Sequence, residues 1–375
     1  MSSVFPSIDP DGLYEYSVVF TDRSINHMSQ YFQQVMRDIH DNLKVVYQAD
    51  EVVVVPGGGS FGMEAVARQF ATEQRCLVIR NGWFSYRWSQ IFEMGGIPSR
   101  EIVLKARAQS EQPQSPWAPA PIEEVCDTIR REQPALVFAP HVETASGIIL
   151  PDDYIQAVSE AAHQVGALVV LDCVASGAIW VDMRALGIDV LISAPQKGWS
   201  SSPCAALIML SQAAVGRLAS SSSSSFAADL KKWQQIMQAY VDGGHAYHAT
   251  LPTDSLARFR DTLLATRAAG MDLLRDRQWQ LGQAVRTLLA ERGFASVAAD
   301  GFTAPGVVVS YTDDDLIHNG KKFIEQGLQT AAGVPLMCDE PASYKSFRVG
   351  LFGLDKLNDV DGAVGRLRKA LDAFV

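Results

Sequence analysis

Lys197 closes an apolar run, VLISAPQK, and opens a loop of small residues, GWSSSP. An amine placed there sheds water and its pKa falls, which is what a lysine needs in order to attack a carbonyl carbon and form a Schiff base. An earlier run, LVVLD, ends in Asp172, a carboxylate that could pair with Lys197 or hold the protonated nitrogen of a ring. Gly57, Gly58, Gly59 and Ser60 open a helix-forming stretch. Backbone amides free of side chains can approach a phosphate at such a place, though a tight turn would look the same. Trp83 and Phe84 follow another apolar run, and either ring could stack on a flat ligand or pack in the core. In HVETASG, Thr144 or Ser146 could donate to a phenolic oxygen, while His141 reads as a structural histidine. Arg348 lies in FRVGLF, where a guanidinium is costly unless it meets an anion, either a bound carboxylate or an internal acid. Asp172 and Lys197 could thus be an ion pair, or the two groups that hold a pyridoxal phosphate.

The elements that must position them alternate. The β-branched run 51–55, EVVVV, stops at PGGGS and gives way to a helical stretch over 61–71. Strands at 76–80, 101–104, 136–139, 168–172, 190–194 and 205–210 interleave with helices at 84–94, 122–131 and 154–165. A helix over 29–46 precedes them, with apolar residues at helical spacing. Strands apolar throughout and separated by helices imply a mostly parallel, doubly wound sheet, whose ligands sit at the carboxyl ends of the strands. That rule brings residues 57–60, 81–84, 141–146, Asp172 and Lys197 to one rim. Residues 105–121, rich in proline, glutamine and serine, read as a surface loop, and the serine run 220–225 as a mobile one. Beyond it come helical sequence over 255–292, a strand at 306–311, a helix over 316–326, a strand at 347–352 and a last helix over 358–375.

At 375 residues the chain exceeds what one hydrophobic core usually serves. Hydrophobic residues at 47% and charged ones at 20% are ordinary for a globular protein. A net charge of -10 argues against nucleic acid or an anionic membrane as partner. The five cysteines are scattered without a C-x-x-C pair, so neither a disulfide framework nor a thiolate metal site is expected, and a reducing cytoplasm fits. No basic region followed by an apolar stretch opens the chain, and no apolar run is long enough to span a membrane. PGGGSFG lacks the G-x-G-x-x-G and P-loop spacings, which disfavours nucleotides.

The order and spacing of GGGSFGMEA, NGWF, HVETASG, LDCVAS, SAPQK, AYHAT and FRVGLFG resemble the class V, fold-type I pyridoxal-phosphate aminotransferases, closest to the alanine–glyoxylate and serine–pyruvate group. The resemblance runs from about residue 51 to the C-terminus. It implies a lead-in over 1–16, a large domain with the doubly wound sheet over 17–265, and a small α+β domain over 266–375. Lys197 would form the Schiff base and shuttle the proton at the substrate's α carbon. Asp172 would pair with the pyridine nitrogen, with Val174 and Phe84 against the two ring faces. Gly58, Gly59 and Ser60, aided by Gln196, would hold the phosphate, Thr144 would contact the phenolic oxygen, and Arg348 would bind the substrate carboxylate. Tyr247 and Thr250 match residues that reach the phosphate of the other subunit, which implies an obligate homodimer with shared sites.

The activity implied is transfer of an amino group from a small amino acid to a 2-oxo acid such as glyoxylate or pyruvate. The alternative is a lyase on the same fold, β-eliminating or desulfurase-like. Desulfurases carry a histidine before the lysine and a mobile cysteine, whereas here Gln196 precedes Lys197. The chain departs from the family at 7–23, which lacks its Gly-Pro-rich turn, in the loop before Ile122, and in the serine run. These departures leave the amino donor open.

Overall fold

The computed structural model describes residues 9–10 and 13–374. Its central sheet consists of β1 (Glu51–Pro56), β2 (Arg75–Arg80), β3 (Arg100–Lys105), β4 (Leu136–Pro140), β5 (Leu168–Asp172), β6 (Val190–Ser193) and β7 (Ala205–Leu210). Their order in space is β1-β7-β6-β5-β4-β2-β3. Strands β6, β5, β4, β2 and β3 pair in parallel, and β7 runs antiparallel to both β6 and β1. All but β7 therefore end on one edge.

Every residue of β4, β5, β6 and β7 is buried, as the uninterrupted apolar runs require of strands covered on both faces. One cover is the helix Gln30–Tyr47. Ser29 caps it, accepting from the Phe32 amide at 3.1 Å, and Phe32, Val35, Met36, Ile39 and Leu43 are turned inward.

A second sheet holds β8 (Val307–Tyr311), β9 (Ala331–Ala332) and β10 (Ser346–Gly350), antiparallel in the order β8-β10-β9. Alternation divides its side chains. Val308, Phe347 and Val349 join a core with the helices Met271–Glu291 and Val360–Leu371, while Val307, Val309 and Tyr311 pack with Ala145, Ile148 and Ala175 of the central sheet's rim. Arg348, on the same face as these last residues, is thereby carried to the rim.

Several elements differ from the sequence's expectation. The helix expected over 61–71 begins at Gly59 and becomes a π-helix at Ala67–Ala71. The loop expected over 105–121 contains a ribbon, Arg107–Ala108 with Trp117–Ala118, anchored where the buried Trp117 donates its Nε1–H to the Tyr311 hydroxyl at 2.9 Å. The serine run is tied down, since Gln69 donates to Ser221 Oγ at 2.9 Å and Arg68 to Ser224 Oγ at 3.1 Å. The helix expected over 316–326 is two, Asp315–His318 and Lys321–Glu325, broken at Gly320 with φ 80°. The last helix, expected over 358–375, is Val360–Leu371 with Asp359 as its cap, and a separate short helix, Leu354–Leu357, precedes it. Of the expected lead-in, only residues 9–10 and 13–16 are described. Among the described residues no helix is long and apolar enough to cross a membrane, and no cluster of His, Cys, Asp and Glu could hold a metal ion.

Candidate active site

Asp172 is the last residue of β5, set between Pro140 of β4 and Ile192 of β6. It is 9% exposed, and its Oδ1 accepts from the Val174 amide at 2.9 Å. Burial lifts its carboxyl to about 6, against the opposing pull of that amide and of the Lys197 charge. Lys197 follows β6 in a loop fixed from beneath. Trp199 is fully buried among Tyr47, Trp180 and Phe259, and at Gly198 a Cβ would stand 2.2 Å from the Gly177 carbonyl oxygen, so a side chain there would unseat the loop. Burial pulls the Lys197 amine below its ordinary pKa, with Asp172's charge opposing. Each group feels the other's charge, but among the described residues no ion pair joins them. That outcome disfavours the ion-pair reading.

Phe84 gathers the cations. Lys197 Nζ lies 5.9 Å from its ring centroid, and the guanidinium carbons of Arg348 and Arg87 lie at 5.5 Å and 5.1 Å. Lys197 Nζ is also 5.6 Å from the ring of Phe352. Arg348 donates its Nε–H to the Ala332 carbonyl at 2.7 Å and meets no carboxylate in an ion pair among the described residues; burial draws its pKa down. The charge of the internal acid Glu143 acts on it, but without a direct ion pair.

Phe84 is itself held by Glu143. This wholly buried carboxylate accepts from the Phe84 and Ser85 amides at 3.2 and 2.8 Å, from Ser85 Oγ at 2.6 Å and from the Ala145 amide at 2.9 Å. It thereby terminates the helix Trp83–Gly95 with a negative charge at its positive end.

Gly58 is the N-cap of the helix Gly59–Val66, and Ser60 lies in the first turn with its Oγ accepting from Arg87 Nη1 at 2.7 Å. Gly59 lies against Val174, where a Cβ would come within 2.6 Å of Val174 Cγ2, so glycine lets the helix end approach the residue beside Asp172. The buried Oε1 of Gln196 finds no partner among the described residues. Thr144 is half-buried in the turn between Val142–Glu143 and Ile148–Ile149. Ser146, the other hydroxyl considered, donates instead to the Asn81 carbonyl at 2.8 Å. His141 has the structural place foreseen for it, with Nδ1 2.7 Å from Ser176 Oγ and burial lowering its pKa to about 4. Tyr247 and Thr250 are exposed and hydrogen-bond each other at 3.1 Å, with the Tyr247 ring beside that of His27.

These residues fit pyridoxal phosphate. A buried carboxylate without a cation, a buried amine without a carboxylate, an aromatic ring beside the amine and a helix N-terminus with an arginine and a hydroxyl are each a group lacking the partner that the cofactor would bring. Sequence reasoning overlooked Arg87, Glu143 and Phe352. Arg87 could have been found, because it follows Phe84 by three residues on a helix and so shares its face. Phe352 lies at the end of FRVGLF. The use of Glu143 depends on which way the helix N-terminus points, and no local signal carries that.

Known proteins are similar along nearly the whole chain. The soluble hydrogenase small subunit of Synechococcus sp. is 25% identical, covering 92% of this chain and 87% of its own. Alanine–glyoxylate aminotransferase of Oryctolagus cuniculus is 26% identical, covering 92% of this chain and 86% of its own. In fold, the crystal structure of ureidoglycine–glyoxylate aminotransferase from Bacillus subtilis matches with a TM-score of 0.78 at 20% identity, over 93% of this chain and 86% of that one. The family model for class-V aminotransferases matches residues 11–308, so the chain belongs to that family and is a transaminase that works with pyridoxal phosphate.

Proposed function

We propose that the residues around Phe84 carry this activity, and that the amino group passes from a small amino acid to a 2-oxo acid such as glyoxylate or pyruvate. The observation that carries the reading is that Asp172 and Lys197 are both buried and titratable, each feels the other's charge, and they form no ion pair with each other. When bound, the cofactor supplies an aldehyde and an electron-accepting ring. Lys197, its pKa lowered by burial, would hold the cofactor through its amine and would move the proton at the substrate's α carbon. Asp172 would hold a positive charge at the ring nitrogen, and Val174 and Phe84 would cover the ring and keep water away. Gly58, Gly59, Ser60 and Gln196 take the phosphate and Thr144 the phenolic oxygen, while Arg348 orients the substrate carboxylate through its two-pronged guanidinium.

The similarity to the rabbit alanine–glyoxylate enzyme supports a small neutral donor and glyoxylate as acceptor. The same reading takes 17–265 as the cofactor-binding domain and 266–375 as the small domain, and places the enzyme in the cytoplasm as a homodimer in which Tyr247 and Thr250 serve the neighbouring subunit. The lyase alternative gains nothing from the cysteines. All five are buried, and burial pushes the thiols of Cys76 and Cys338 up to about 12 and that of Cys204 to about 11.

Borohydride added to the protein with pyridoxal phosphate should fix a pyridoxyl group on Lys197, located by peptide mass. Lys197→Ala should abolish the label and lower kcat by about two to four orders of magnitude. Labelling of some other lysine would sink the assignment.

A further inference from the structure

We propose that Arg87 grips the cofactor's phosphate from within the same subunit. Three observations converge on it. Its Nη1 donates to Ser60 Oγ at 2.7 Å, in the first turn of the helix whose N-terminal amides face the proposed phosphate position. Its guanidinium carbon lies 5.1 Å from the centroid of the Phe84 ring, which ties it to the proposed stacking platform. Among the described residues it forms no ion pair with a carboxylate; Ser60 uses one Nη1–H and leaves the rest of the donor fork to an anion. Arg348 approaches the same ring and is read as the substrate's anchor, so the two guanidiniums divide the work: Arg87 for phosphate, Arg348 for carboxylate.

The inference rests on the proposed placement of the cofactor at Lys197, and its test is separable from that placement. Cofactor-free wild type, Arg87→Gln and Arg87→Lys are titrated with pyridoxal 5′-phosphate and with phosphate-free pyridoxal, and binding is read from quenching of tryptophan fluorescence. Arg87→Gln should raise the Kd for pyridoxal phosphate by about 10- to 100-fold, the range for a lost hydrogen bond to a charged group, and leave that for pyridoxal within about twofold. Arg87→Lys keeps the charge without the fork and should fall between; it also keeps the test open if the glutamine variant does not fold. Equal weakening toward both ligands would make Arg87 structural and overturn the proposal. So would an unchanged cofactor Kd accompanied by a raised KM for the amino acid, which would assign Arg87 to substrate. Failure of the wild type to bind pyridoxal phosphate at Lys197 would strike the parent reading instead.

Discussion

Asp172 is held ready at a cost. Its folded pKa of about 6 lies above the ordinary 3.8, so ionisation weakens the fold: the penalty is absent below the ordinary value, builds between 3.8 and about 6, and is complete above that. The difference corresponds to about 3 kcal/mol. Cofactor-free Asp172→Asn should therefore resist urea better than wild type by about that amount near pH 8, with the gap narrowing below about pH 6 and closing as pH falls below the ordinary 3.8. A gap that ignores pH would mean that burial of the charge is not its source. The same variant should lose affinity for the cofactor, because a neutral amide cannot match a cationic ring nitrogen. Lys197, Asp172 and Arg348 were legible in the sequence because a charge at the end of, or inside, an apolar run is unusual in itself. Glu143 was not, since its value comes from four donors that only the folded backbone brings together.

Among the elements, the helix Gly59–Val66 and the end of β5 are fitted to each other through one missing side chain. Gly59→Ala would drive a Cβ into Val174, a branched residue with little room to turn away, and should cost roughly 1 to 3 kcal/mol in urea unfolding. Adding Val174→Ala should return most of that stability, giving a coupling of at least about 0.5 kcal/mol. Additive losses would show that the two residues do not meet. Strands β4 to β7 were plain from their apolar runs. The ribbon at Trp117 and the anchored serine run were hidden, because their composition is that of loops and their order comes from distant partners, Tyr311 for the first and Arg68 with Gln69 for the second.

At the scale of the molecule, Tyr247 is 54% exposed and engages Thr250 and His27. If the proposed dimer shares its sites, Lys197→Ala chains mixed with Tyr247→Ala, Thr250→Ala chains should regain activity that neither has alone, since one site of each mixed dimer is whole. Activity that stays at the level of the separate variants would count against sharing. The sequence by itself determined the class of fold and the chemical groups, because apolar runs fix which strands are covered on both faces and because charges beside those runs stand out. Tertiary structure decided how the groups are used. It left Asp172 and Lys197 without a direct ion pair, left Arg348 without a carboxylate paired directly to it, and brought Arg87 to Ser60 and Glu143 beneath Phe84. Those outcomes depend on strand order and helix direction, which come from contacts between residues far apart in the chain.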